Sequence, residues 1–344
     1  MTLLALATLV ACTTPLPAPV PGAAAGPAVA APQAKAAAVV AAGVVARSNA
    51  LGIYLPRDGE TYATIAQLHL GNAARAWELA ELNGDTEPRP GKALVLPLRP
   101  VNPVGVRAQR FQTVPILCYH RIGPGNGKMV VSSANFAQQL EWLRSNGYSV
   151  VRLGELVGFL AGHHALPPRS VVLSFDDGYE SVYRHAFPLL KRFGVPATLF
   201  LYTDFVGSGS AMSWAQVREM RDSGLVDVQA HSKSHANLIE RLADENDAGY
   251  MKRLDAEARV PREAIERHLN TQQVLDFAYP YGDANEQVLE VLARQRYRLA
   301  VTVNPGGNPF YAQPLMLRRT MILGNLDLDA FKSRLVVSRP IEAP

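Results

Sequence analysis

The chain has 344 residues, enough for one large domain and a small one, with 34 Lys and Arg against 30 Asp and Glu. Its formal charge of +4 is spread thinly, without the dense basic cluster that tracks phosphates, so nucleic-acid binding is not expected. Only two cysteines occur, Cys12 and Cys118, which excludes a disulfide framework.

The first apolar run, "LLALATLVAC", is too short to span a bilayer but suits the apolar region of a signal peptide. Its last four residues, Leu9 to Cys12, resemble the lipobox of bacterial lipoproteins, although no Lys or Arg precedes the run. That resemblance implies a signal peptide over 1–12, lipid on Cys12 and a membrane contact through it. The expected place is the periplasmic face of the outer membrane. Residues 13–52 are rich in Ala and Pro and read as a linker, because so few large apolar side chains cannot offset the entropy of ordering.

Residues 53–98 read as strand, two short helices and strand. Thr61 is placed as an N-cap before the apolar pattern at Ile65 and Leu68, and "ALVLP" closes the unit as a strand. The "DGET" before the first helix, Asn83 after the second and the "PGKALVLP" ending resemble a LysM module. The resemblance implies a glycan-binding module of βααβ form. Residues 99–112 follow as a second linker.

From Thr113 the chain alternates strands and helices. The expected strands are "PILCYH", "SVVLSFDD", "ATLFLY", "VDVQAH", "VLDFAYP", "LAVTV" and "RRTMI". Phe136, Leu140 and Leu143 share one helical face between the first two. Seven strands alternating with helices predict an α/β fold with a parallel sheet, open or closed into a barrel, and chemistry at the C-terminal strand ends.

The polar signatures fall at those ends. "SFDDG" closes a buried strand with two adjacent carboxylates, Asp176 and Asp177, whose mutual repulsion calls for a cation. "AHSKSH" spaces His231 and His235 four apart, a spacing that shares one face on a helical turn. Two His and one carboxylate, Asp177 or Asp176, make a metal set with room for a water acidified to about pKa 7.

"SFDDG" and "HSKSH" resemble the first two motifs of the NodB-type polysaccharide deacetylases, carbohydrate esterase family 4. The resemblance implies a distorted (β/α)7-type barrel over 113–344. It makes Asp176 the catalytic base and Asp177, His231 and His235 the metal ligands. "AYPYG" resembles the third motif, which puts the Tyr281 backbone N–H at the oxyanion, but Ala278 stands where the family has an Arg. Arg318 or Arg319 is available as a substitute. No His follows His268 to act as the acid, whereas "PILCYHR" sets His120 at the end of the first strand. This order resembles the exported poly-N-acetylglucosamine deacetylases, a subgroup that also lacks the third-motif Arg. Cys118 reads as a small buried hydrophobe.

The expected function is metal-dependent removal of acetyl groups from an N-acetylglucosamine polymer, by a monomer. Zinc is favoured, with cobalt, nickel or iron compatible with the ligands. Peptidoglycan deacetylation, O-acetyl esterase activity on a xylan-type polymer and silent glycan binding are the alternatives.

Overall fold

A computed structural model describes residues 42–84, 87–125, 127–270 and 273–341. The signal peptide, Cys12 and the linker up to residue 41 lie outside the described residues. None of the described helices is long and apolar enough to cross a membrane.

The small unit begins earlier than the sequence reading placed it. Strand β1 (Gly43–Arg47) lies inside the span read as linker and pairs antiparallel with β2 (Leu51–Leu55), which pairs in turn with β3 (Leu94–Pro97). The unit is therefore ββααβ. The reason is local: "GVVAR" continues an Ala- and Val-rich run, and only its partner strand distinguishes it from the tether. Tyr54 and Gly52 face inward on β2 while Leu51 and Ile53 face out, the period-two pattern of a half-buried strand. Helix α1 (Tyr62–Leu70) starts at a capping box between Thr61 and Thr64 and buries Ile65 and Ala66. Helix α2 (Ala76–Leu82) adds Leu79 to the same core, with Leu94 and Leu96 from β3. Asn83 ties helix to strand: its side chain accepts from Val95 N–H at 2.8 Å and donates to the carbonyls of Leu79 and Val95.

The second linker is also partly ordered. Arg107 pairs with Glu81, and Arg110–Gln112 forms a short strand against Ser338–Pro340.

The catalytic-size domain is built on β4 (Val114–Tyr119), β5 (Ser170–Phe175), β6 (Ala197–Leu201), β7 (Val226–Ala230), β8 (Asp276–Ala278), β9 (Leu299–Val301) and β10 (Thr320–Met321). All seven expected strands are present. They are parallel, in the order β9-β8-β7-β6-β5-β4-β10. The sheet curls until Val301 meets Leu317 in a single parallel bridge, so the ring closes through a few backbone hydrogen bonds rather than a full ladder.

Each strand divides its side chains between two cores. Leu173 and Phe175 on β5, with Leu199 and Leu201 on β6, pack outward against helices. Val172 and Phe200 point to the other face, with Ile116, Ala278 and Val301. Burial on both faces is why these strands read as unbroken apolar runs. Helix α3 (Ser133–Ser145) buries Phe136, Leu140 and Leu143 as its periodicity requires. Helix α4 (Asp247–Leu269) lies between β7 and β8 in sequence and packs on β7.

Candidate active site

The C-terminal strand ends converge on a cavity of about 350 Å³, lined by His120, Asp176, Asp177, His231, His235 and Tyr281 among others. Every site residue expected from the sequence is here. His120 follows β4, the two Asp follow β5, His231 follows β7 and Tyr281 follows β8.

The turn after β5 is sharply constrained. Asp177 adopts φ 72° and Gly178 φ 87°, and a Cβ on Gly178 would meet Leu201 at 2.5 Å. Only glycine fits there. The turn drives both carboxylates into the cavity from one strand end.

The His231–His235 segment is not a helical turn, contrary to the expectation from their spacing. It is an irregular loop in which Ser232 and His235 both have positive φ, at 68° and 62°. Its shape is set by side chains. Glu257 on α4 accepts from the backbone N–H of Lys233 and Ser234 and from the Ser234 hydroxyl, at 2.7–2.9 Å. Ser232 Oγ accepts from His235 N–H at 2.9 Å. Left-handed residues of this kind persist where surrounding contacts over-determine them, and they cluster at functional sites.

These constraints bring Asp177 Oδ1 to 3.5 Å from His231 Nε2 and 3.4 Å from His235 Nε2. A tetrahedral ion with nitrogen and oxygen ligands at 2.0–2.1 Å would hold those atoms roughly 3.3 Å apart. Asp177 Oδ1 is buried with no hydrogen-bond partner. His231 Nδ1 donates to Ala278 O at 2.8 Å, which leaves Nε2 as a lone pair aimed at the carboxylate. The three residues therefore fit a divalent cation by geometry, tautomer and unsatisfied valence. Burial lowers both imidazoles, His231 to about 4, so they are neutral and able to ligate at neutral pH. Burial, then the neighbouring Asp176 charge, pushes Asp177 up to about 6.

Asp176 has a different environment. Arg319 Nη1 donates to its Oδ1 at 2.6 Å, and Cys118 S–H donates to Oδ2 at 3.4 Å. Burial acts to raise the Asp176 carboxyl, but the Arg319 guanidinium, followed by His231 and His120, outweighs it and holds the group well below the usual carboxylate range. Arg319 is fully buried and also donates through Nε to Thr302 O at 3.0 Å. Its guanidinium lies over the Phe200 ring, in the core that contains Ala278. Of the two arginines named from the sequence, Arg319 thus supplies the guanidinium missing at position 278, and exposed Arg318 instead reaches Pro305 O.

His235 links the ligand set to an aromatic rim. Its ring packs edge-on against Tyr281 at 4.8 Å and beside Tyr202 at 5.1 Å. Tyr281, at φ 59° and 60% exposed, forms the lip of the cavity. Arg121 lies 3.6 Å over the Tyr179 ring on the opposite wall. Sequence reasoning missed Glu257, Arg121 and Tyr179, which carry no motif of their own, and placed Cys118 as a plain hydrophobe.

Larger grooves flank Trp77 of the small unit, one of about 930 Å³, but they lack a convergent set of acids, bases and ligands. Among the described residues, both clusters able to hold a metal lie at the ends of β4, β5 and β7.

Comparison with known proteins matches residues 163–300 to the family model "Polysaccharide deacetylase". The solved structure of IcaB from Ammonifex degensii is 31% identical, with a TM-score of 0.58 over 65% of this chain and 96% of that one. The chain belongs to the polysaccharide deacetylase family. A second solved member, the Streptococcus pyogenes deacetylase PplD in complex with acetate, is 27% identical, with a TM-score of 0.59 over 65% of this chain and 98% of its own. The poly-beta-1,6-N-acetyl-D-glucosamine N-deacetylase of Escherichia coli (strain K12) is 28% identical over 242 residues, 60% of this chain and 36% of that protein. This deacetylase-family chain thus spans about a third of the length of the E. coli relative.

Proposed function

We propose that the protein hydrolyses acetamido groups of poly-β-1,6-N-acetylglucosamine, releasing acetate and leaving free amines on the polymer. The observation that carries the reading is Asp176, kept ionised by Arg319 and set beside the Asp177, His231 and His235 cluster at the floor of one open cavity. The E. coli relative, named for this polymer, favours it over peptidoglycan or an O-acetylated xylan. Ala278 gave reason to consider a silent glycan-binding protein. That reason weakens with a guanidinium already on the base.

A divalent cation held by Asp177, His231 and His235, with zinc our choice, would supply Lewis acidity toward the attacking water and the acetamide carbonyl. Asp176 accepts the proton of that water as it attacks the carbonyl carbon. Arg319 fixes the orientation of the accepting carboxylate. The Tyr281 backbone N–H donates to the developing oxyanion, a contribution worth about 3 kcal/mol. His120 donates a proton to the departing nitrogen as the C–N bond breaks. Water and amide are thereby converted to acetate and amine. The small unit adds a second hold on the polymer, and lipid on Cys12 ties the monomer to the periplasmic face of the outer membrane.

Acetate release from defined β-1,6-linked N-acetylglucosamine oligomers tests this. Wild type should turn over, while Asp176→Asn and His120→Ala should each lose about 10²- to 10⁴-fold. Release from peptidoglycan alone would change the substrate. No release from any acetylated polymer by metal-loaded protein would leave the glycan-binding reading.

A further inference from the structure

The ligand set of Asp177, His231 and His235 leaves a second cluster beside it unexplained. Cys118 Sγ lies 3.4 Å from Asp176 Oδ2 and 4.0 Å from His120 Nδ1. One donor atom from each of the three falls within 4.8 Å of the others. A tetrahedral ion with sulfur at 2.3 Å and nitrogen or oxygen near 2.0–2.1 Å separates its ligand atoms by roughly 3.3–3.6 Å. Cys118 and Asp176 already meet that spacing, and His120 Nδ1 needs to approach the sulfur by about half an ångström.

The remaining geometry is permissive. Arg319 engages Oδ1 of Asp176, so Oδ2 is the oxygen that faces the thiol. His120 and Asp176 line the substrate cavity, which gives an ion a way in, and Cys118 sits just behind them. Met129 and Met321 also line this cavity. Asp176 Oδ2 lies 3.8 Å from His231 Nε2, so an ion here would sit beside the first.

We propose that Cys118, His120 and Asp176 form a second cation site, selective for a soft ion such as cadmium or excess zinc, whose filling arrests the enzyme. On binding, the Cys118 S–H bond breaks, its proton leaves to water through the cavity, and a sulfur–metal bond forms. No electron is gained or lost. Thiolate selects soft and borderline ions, so magnesium and calcium, which take oxygen ligands, are not held. Repulsion from the first cation and from Arg319 makes this the weaker of the two sites. Arrest follows because Asp176 Oδ2 and the His120 ring are tied up together. The arrest rests on the proposed function. The binding does not.

The test uses the full chain carrying Cys12→Ser, so that Cys118 is the sole thiol, loaded with one equivalent of zinc. Cadmium is titrated in while ultraviolet thiolate-to-cadmium charge transfer and acetate release are followed. The first ligand set has no thiolate, so the band reports only on Cys118. A further equivalent of bound cadmium with that band and at least about a tenfold fall in rate, unmatched by magnesium, is expected. Cys118→Ser and Cys118→Ala should lose the band. Relative to its own uninhibited rate, each should need at least about tenfold more cadmium for half inhibition. Absence of a second equivalent, binding without the band, or equal inhibition in both variants would overturn the proposal. Were no acetylated polymer turned over at all, the proposed function would fall and the band alone would decide the site.

Discussion

Arg319 Nη1 and Asp176 Oδ1 are 2.6 Å apart, both buried, on residues 143 positions apart in the chain. The pair holds the Asp176 carboxylate, the base of the proposed reaction, ionised and oriented. Arg319→Ala leaves a buried charge without its partner, which costs about 3–5 kcal/mol of stability. Without the guanidinium, burial raises the Asp176 carboxyl, so the acidic limb of the kcat–pH profile should move to higher pH. Arg319→Lys keeps the charge but not the fork that also reaches Thr302, and should recover only part of the rate. The pH profiles and melting curves of the three proteins check this.

Metal affinity should depend on pH through Asp177. Its carboxyl sits at about 6, and it must be ionised to ligate, whereas burial lowers both histidines from the ordinary imidazole value, His231 to about 4. Below pH 6, protons therefore compete with the metal at Asp177, and the apparent affinity should fall at least about tenfold per pH unit. Metal content measured against a chelating dye from pH 5 to pH 8 reads this directly, at about those limits. Affinity independent of pH across that range would contradict it.

Glu257 shapes the loop between the two histidines without touching the cavity. Glu257→Gln keeps one neutral acceptor for the two N–H groups and turns the oxygen that accepts from the Ser234 hydroxyl into a donor. The variant should bind metal about 10- to 100-fold more weakly, and excess metal should restore much of its kcat. Direct binding and metal-rescue kinetics separate this from a general loss of folding.

Asp276 on β8 is buried, with Oδ2 unpartnered and Arg298 3.4 Å from Oδ1. Burial raises its carboxyl to about 7 against an unfolded value near 4. Between those values the folded state keeps a proton that the unfolded state has lost. Stability therefore falls as pH rises from about 4 through about 7, then levels off. Asp276→Asn removes that charge and should stabilise the protein by roughly 1–3 kcal/mol at pH 8, with little change at pH 4. Melting temperature against pH for the two proteins provides the check.

The sequence was most legible where burial is two-sided. "SVVLSF" and "ATLFL" announce strands because both faces of the sheet are covered. It was least legible where pairing decides. Strand β1 merges into an Ala- and Val-rich run and is ordered only by β2. Arg318 and Arg319 are equivalent as letters, and only the period-two register at the last strand turns one to solvent and the other onto the base. The His231–His235 spacing identified the right pair for the wrong local reason. Their approach depends on Glu257, which in sequence is one more acidic residue on a long charged helix. Cys118 looked inert because a buried thiol is usually only a packing group, and its neighbours come from another strand.

The first and last strands of the ring, β4 and β10, lie side by side. His120 ends one and Arg319 leads into the other, so His120 and the guanidinium that holds Asp176 are brought together by closing a loop of some 200 residues. Closing a loop that long is a late and slow event in folding. A chain without its last strand therefore carries Asp176, Asp177 and both histidines but not the guanidinium that holds Asp176, and on the proposed function it is inert until that strand docks. Loss of the last thirty or so residues would have the same effect, however well the rest of the sheet had formed.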